Sequence, residues 1–189
     1  SGKCLGLIGF GRIAQGVGAV AQAMGMEVHA FDPYLPAKIA KSQNTTLHKS
    51  VDNLFKKCTH ISIHCNLTEE THHLVNEDSM AMMPGKSRDG IKCGNHIVNC
   101  ARGGIIDEAA LLHALEQGVI SSAALDVFES EPVAPNYALI QHDNFHGTPH
   151  IGAATLEAQS RVGLEIAKSV CDALAGNIPK SIMNPDSLD

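Results

Sequence analysis

The chain alternates between short unbroken apolar runs and longer stretches in which apolar positions recur every three to four residues. The runs CLGLIG (4–9), MEVHAF (26–31), HISIHC (60–65), HIVNC (96–100) and SSAALDVF (121–128) predict strands. Most are apolar at several positions in a row, as expected of strands covered on both faces. Between them the spacing predicts helices. Ile13, Val17, Val20 and Met24 share one helical face, with Gly25 as the stop. Asp107 is placed to cap a helix carrying Leu111, Leu112 and Leu115, which ends at Gly118. A last helix is expected to start near Thr155, to carry Val162, Ile166, Val170 and Leu174 along one side, and to end at Gly176. Strand, helix, strand in repetition implies an α/β fold with a doubly wound parallel sheet. One domain is expected over 1–183, with a short tail at 184–189. The polar, glycine-bearing stretch MPGKSRDGIKCGN (83–95) reads as a long exposed loop or hairpin without an assigned role.

Composition narrows this picture. A length of 189 residues suits one domain with a real core, and 44% hydrophobic content is that of a globular protein. A formal charge of −6 offers no basic footprint for nucleic acid, so no nucleic-acid partner is expected. The six cysteines form no C-x-x-C pair, and several lie in apolar runs, so buried free thiols are expected. No signal peptide precedes the first strand, and no apolar run approaches the roughly 18 residues of a membrane span. A soluble, cytoplasmic protein in a reducing compartment is the expectation.

The first candidate chemistry is GLIGFGRIAQG, between the first strand and the first helix. Gly9 and Gly11 fit the first two glycines of G-x-G-x-x-G/A, and Ala14 the third position. A tight turn needs the first glycine, and backbone approach to a pyrophosphate needs the second. A small third residue lets helix and strand pack, while the helix N-terminus presents free N–H groups to phosphate. Asp32 follows Gly11 by 21 residues, at the end of the second predicted strand. A carboxylate there accepts from a ribose 2′-OH and repels a 2′-phosphate, which favours NAD over NADP. The fold expected is thus a Rossmann-like NAD-binding domain. Arg12 adds positive charge beside the pyrophosphate position.

The second half carries an arginine, two acids and a histidine. VNCARGGIIDE places Arg102 just past a strand end, where ligands of doubly wound sheets bind and where a guanidinium can hold a carboxylate through two parallel hydrogen bonds. ALDVFESEP puts Asp126 inside an apolar run, where a carboxylate needs a partner or ligand, and Glu131 just beyond it. GTPHIGAAT carries His150. HDNFHGTPH spaces His142, His146 and His150 four apart, as a helical metal site would, but Gly147 and Pro149 break any helix there. No metal is expected. His142 reads as a loop residue, His146 as a strand residue. His72 and His73 are adjacent, cannot face the same way on a helix, and read as surface or packing residues.

GFGRIAQ, FDP, NCARGGIIDEAAL, AALDVFESEP and TPHIGAATLEAQ, in this order, resemble the D-isomer-specific 2-hydroxyacid dehydrogenases. NCARGG and GAATLEAQSRVGLEIA resemble most the D-3-phosphoglycerate dehydrogenase branch. The resemblance covers nearly the whole chain. It implies NAD as cofactor, and a catalytic set of Arg102 for the substrate carboxylate and carbonyl oxygen, His150 for the proton, and Glu131 as the acid paired with that histidine. It implies cofactor contacts at Gly9, Gly11, Arg12, Ile13 and Asp32, at Cys65 beside the adenosine half, and at Cys100, Ala101, Arg102 and Asp126 around the nicotinamide. His150, Ile151, Gly152 and Ala153 would border the same ring. The implied reaction is hydride exchange between NAD and a small 2-hydroxy acid, above all D-3-phosphoglycerate going to 3-phosphohydroxypyruvate, a step of serine biosynthesis. A homodimer or higher homo-oligomer is also implied.

The sequence departs from the family in three places. The substrate domain, a segment of roughly one hundred residues in such enzymes, is absent before the first strand. The chain therefore reads as a cofactor domain alone, weakly active or inactive by itself. HCNLT carries Asn66 where the family usually has proline, next to the adenine position. The 84–95 stretch is longer than the family's usual turn. Other readings are another substrate (glycerate, hydroxypyruvate or lactate) and an NAD-sensing corepressor-like module. Those modules commonly place an aromatic residue soon after the histidine, whereas this chain has HIGAAT.

Overall fold

The computed structural model describes residues 2–179, 181 and 182, and the tail expected at 184–189 lies outside the described residues. Two compact units are present, Ser1–Pro149 and His150–Asp189. The first unit holds seven strands: β1 (Cys4–Ile8), β2 (Glu27–Phe31), β3 (Thr46–His48), β4 (His60–Ile63), β5 (His96–Asn99), β6 (Ser122–Leu125) and β7 (Phe145–Gly147). Its helices are α1 (Arg12–Ala23), α2 (Ala37–Ser42), α3 (Val51–Phe55), α4 (Glu77–Ala81) and α5 (Glu108–Glu116), with a 3-10 turn at Ala138–Gln141. The second unit is built on α6 (Leu156–Leu174).

The sheet is parallel throughout, in the order β3-β2-β1-β4-β5-β6-β7. The order runs outward from β1 in one direction and from β4 in the other. That reversal opens a crevice at the carboxyl ends of β1 and β4, where ligands of such sheets bind. The doubly wound α/β fold expected from the sequence is therefore the one observed. The strand expected at His146 is the edge strand β7, and the other edge strand, β3, is three residues long and was not anticipated. The run 121–128 is strand only over Ser122–Leu125, and Asp126 to Phe128 form the loop beyond the sheet edge.

The ends of the predicted helices match their signals. Asp107 accepts from the Ala110 amide at the start of α5, and Thr155 accepts from the Ala158 amide at the start of α6. Gly25, Gly118 and Gly176 all take positive φ after their helices. The buried face of α1 is the opposite of the one expected. Ile13 is 75% exposed and Met24 70%, while Ala14, Gly18 and Ala21 face the sheet. Small residues win because the helix lies close on the strands: a Cβ on Gly18 would stand 3.4 Å from both Leu7 Cδ1 and Val28 Cγ1.

On the other face of the sheet the core is aliphatic and larger. Leu54, Phe55, Ile61, Ile63, Ile97, Ile105, Ile106 and Leu111 are fully buried there. Burial of this kind contributes about 25 cal/mol per Å² of apolar surface. All six cysteines are free thiols. Cys4 and Cys58 are buried as expected, whereas Cys65 is half-buried and Cys100 exposed, because both stand beyond the strand ends. Among the described residues no helix is long and apolar enough to cross a membrane.

Gly6 lies in β1 against this core, where a Cβ would meet Ile61 Cδ1 at 2.8 Å, Leu54 Cγ at 3.0 Å and Cys58 Cβ at 3.1 Å. Gly16 lies within α1 with nothing within 4 Å. Gly6→Ala is expected to destabilise the chain by about 1–3 kcal/mol through overpacking. Gly16→Ala is expected to stabilise it by about 0.4–1 kcal/mol. Urea unfolding of both variants measures this, and equal stabilities would contradict the packing described.

Candidate active site

The turn from β1 into α1 is held by backbone geometry. Gly9 has φ +84, and a Cβ there would lie 2.9 Å from the Cys65 nitrogen and the His64 oxygen. Its amide donates to Phe31 O at 2.8 Å, and the His64 amide donates to Ile8 O at 2.7 Å. The three neighbouring strand ends are thereby locked together. Gly11 is the N-cap of α1, no side chain caps its first turn, and no acidic residue stands there. The leading amides of the helix are thus left for an external acceptor. A Cβ on Gly11 would meet nothing within 4 Å, so the glycine clears space in front of the turn rather than inside the fold.

Asp32 stands beside this turn. Its Oδ2 accepts from the Phe10 amide at 2.9 Å and its Oδ1 from the Tyr34 amide at 3.0 Å. Those two bonds fix the carboxylate at the mouth of a cleft of about 520 Å³. Gly9, Gly11, Asp32, Tyr34, Cys65 and Asn66 are among its lining. Each carboxylate oxygen keeps a lone pair beyond its backbone bond. Burial pushes the Cys65 thiol up, so the cleft wall carries a neutral sulfur. Arg12 and Ile13 open α1 on the exposed side.

A second group of loops follows β5 and β6. Asn99 is 1% exposed, and its side chain clamps the next turn by accepting from the Ala101 amide at 2.9 Å and donating to Arg102 O at 2.8 Å. Arg102 itself is exposed, with Nη1 donating to Ala101 O at 2.6 Å. Gly103 brings this loop onto the next one, since a Cβ there would sit 1.8 Å from Phe128 O. Cys100 is exposed at the edge of the clamped turn, its thiol pushed up by partial burial and then by Asp126. Asp126 is 5% exposed and finds the partner its apolar surroundings demand: Thr148 Oγ1 donates to it at 2.5 Å.

Glu131 Oε1 accepts from the Phe128 amide at 2.9 Å. The same loop is anchored behind by Glu108, which is buried and accepts from the Glu129 amide at 2.6 Å and from Tyr137 Oη at 2.7 Å. Burial raises the Glu108 carboxyl, and the two hydrogen bonds oppose it. His73 completes the anchor, 3.0 Å from Glu129 and 3.8 Å from Asp107. His72 and His73 stack with ring centroids 3.9 Å apart. They occupy a turn with His73 at φ 50, not a helix, and are exposed and half-buried, in keeping with the reading as surface or packing residues.

The remaining expected residues open the second unit. His150 takes the left-handed conformation, φ 54, which histidine tolerates better than most side chains. Ile151, Gly152 and Ala153 lead from it toward the Thr155 cap of α6. His142 follows the 3-10 turn and His146 lies in β7, so these two are not on a helix. Residues missed in the sequence are Asn99, Thr148 and Glu108. Their signal was present only as polar residues within or next to apolar runs.

Residues 1–152 match the family model for the D-isomer specific 2-hydroxyacid dehydrogenase, NAD binding domain. The chain belongs to this family. It is 43% identical over 183 residues to the D-3-phosphoglycerate dehydrogenase of Methanocaldococcus jannaschii, covering 97% of this chain and 33% of that protein. It is 44% identical over 171 residues to a hydroxypyruvate reductase of Thermotoga maritima, covering 89% of this chain and 52% of that one. A glyoxylate reductase structure from Paecilomyes thermophila superimposes with a TM-score of 0.81 at 32% identity, over 94% of this chain and 51% of that one. The chain therefore spans a third to a half of these relatives. This NAD-binding domain carries an uncapped helix start, a cleared glycine and a fixed carboxylate around one cleft. Gly11→Ala places a methyl in that cleared space. It is expected to weaken NADH binding at least tenfold while costing no more than about 1 kcal/mol of stability. Calorimetry and urea unfolding read the two effects separately, and unchanged NADH affinity would remove Gly11 from the site.

Proposed function

We propose that this chain is the cofactor half of an enzyme that oxidises D-3-phosphoglycerate to 3-phosphohydroxypyruvate, the entry step to serine. The observation that carries the reaction class is the Asn99-clamped turn that presents exposed Arg102 beside the cofactor cleft's strand ends. A guanidinium there suits a planar carboxylate. The substrate choice is supported by the likeness to the phosphoglycerate dehydrogenases, which extends across nearly the whole chain. Glycerate or hydroxypyruvate is the second reading, favoured by the Thermotoga relative.

In this proposal NAD, when held in the cleft, would supply the acceptor for the hydride on the substrate C2. Arg102 holds the carboxylate and stabilises charge on the oxygen that changes from hydroxyl to carbonyl. His150 takes the hydroxyl proton, and in the reverse direction returns it. Glu131 is the acid that favours the imidazolium. Gly9, Gly11, Arg12 and Ile13 hold the pyrophosphate, Asp32 the ribose, and Cys65 the adenosine side. Cys100, Ala101, Asp126 and the 150–153 segment border the nicotinamide. A homodimer through this domain belongs to the same proposal.

The test is turnover by the full-length protein with D-3-phosphoglycerate, glycerate and lactate compared under one condition. Phosphoglycerate is expected to give the highest kcat/KM. His150→Ala is expected to lower kcat at least 100-fold with NADH affinity within threefold. Higher kcat/KM on glycerate would replace the substrate, and unchanged turnover in the variant would remove His150 from the chemistry.

A further inference from the structure

The amino ends of β1 and β2, opposite the cofactor cleft, bring together side chains that the activity above does not use. Cys4 and Glu27 are register partners in the sheet, and His29 follows Glu27 by two on the same face. Cys4 Sγ lies 3.7 Å from Glu27 Oε2, and His29 Nε2 lies 3.8 Å from the same oxygen. All three ligand atoms fall within 4.8 Å of one another. Among the described residues this is the one place where three such atoms converge. Cys4 is 3% exposed and His29 6%, while Glu27 reaches solvent.

The surrounding contacts orient each atom inward. Arg88 Nη1 takes the other carboxylate oxygen, Oε1, at 2.6 Å and leaves Oε2 turned toward the thiol and the imidazole. His29 Nδ1 is bound to His48 Nε2 at 3.0 Å, which leaves Nε2 as the ring nitrogen facing the group. An outer partner on the second ring nitrogen is the arrangement that fixes a metal-ligating histidine.

We propose that Cys4 Sγ, Glu27 Oε2 and His29 Nε2 bind one zinc-class divalent ion, with water from the Glu27 side in the fourth position. Zinc bonds of about 2.0 Å to nitrogen and oxygen and about 2.3 Å to sulfur, at tetrahedral angles, put nitrogen and oxygen about 3.3 Å apart and sulfur about 3.5 Å from oxygen. The sulfur–oxygen separation of 3.7 Å is close to that, and the nitrogen–oxygen separation of 3.8 Å has to shorten by about 0.5 Å on binding. A sulfur, nitrogen and oxygen set suits zinc rather than magnesium or calcium. Thiolate and carboxylate neutralise the dication, and Arg88 on the outer carboxylate oxygen adds one positive charge on the exposed side. Binding sends the Cys4 proton to solvent. The ion ties the starts of β1 and β2 to the 84–95 hairpin, which reaches them through Arg88. That hairpin is closed by the Lys86 and Lys92 bridge, and its Arg88 amide donates to Gly2 O at 3.2 Å.

The site stands about 16 Å along the strand from the Gly9 turn, taking five residues at the usual rise. It is therefore testable apart from cofactor binding. The probe is cobalt(II), added to the reduced, chelator-treated chain and followed by absorbance. A thiolate-to-cobalt charge-transfer band is expected to saturate at one equivalent, to vanish in Cys4→Ser and to persist in Cys93→Ser. Glu27→Gln, at a half-exposed position, is expected to weaken cobalt binding at least tenfold, and zinc is expected to displace the cobalt. No sulfur band at stoichiometric cobalt, a band that survives Cys4→Ser, or unchanged affinity in Glu27→Gln would overturn the proposal. If Cys4→Ser fails to fold, the Glu27→Gln affinity decides.

Discussion

Gly9 sits where the first strand ends against the backbone of the fourth, and there is no room for a side chain between them. Its positive φ turns the chain out of the sheet and into α1 within two residues. The consequences are local and then global. The helix starts without a cap and points its first amides at the crevice between β1 and β4. A helix start left unsatisfied is costly unless water or a ligand accepts from it. The fold thus keeps an anion site ready at the cost of local stability.

The loops after β5 and β6 depend on a different kind of constraint. They are irregular and would be mobile if left to themselves. Here a buried amide, Asn99, does for the Arg102 turn what a strand ladder does for the sheet. Gly103 lets that turn touch the Phe128 loop, and Glu108 with Tyr137 holds the latter from behind. Asn99 and Glu108 are buried and satisfied, so the cost of desolvating them is recovered in position.

The central strands and the phosphate turn were legible because each has a local signal: an unbroken aliphatic run, or glycines at set spacing with Asp32 following. The edge strand β3 was not, since three residues of mixed polarity carry no period, and β7 showed only at His146. The buried face of α1 was misread for a physical reason. Close packing selects Ala14, Gly18 and Ala21 over larger apolar side chains, and the hydrophobic stripe is left outside. The sequence also drew the metal question toward the evenly spaced histidines 142, 146 and 150. The converging ligand atoms belong instead to Cys4, Glu27 and His29, which only strand pairing brings together. Asn99 and Glu108 were invisible for the same reason, because their partners are set by tertiary contact.

In the function proposed above, the Asp32 carboxylate, held by two backbone amides beside the turn from β1 into α1, reads the ribose of the cofactor. Titration calorimetry of the chain with NADH and NADPH, for the native sequence and for Asp32→Ser, tests this most directly. NADH is expected to bind at least tenfold more tightly than NADPH to the native chain, and Asp32→Ser to narrow the gap to less than threefold. Equal affinities in the native chain, or an unchanged preference in the variant, would contradict it.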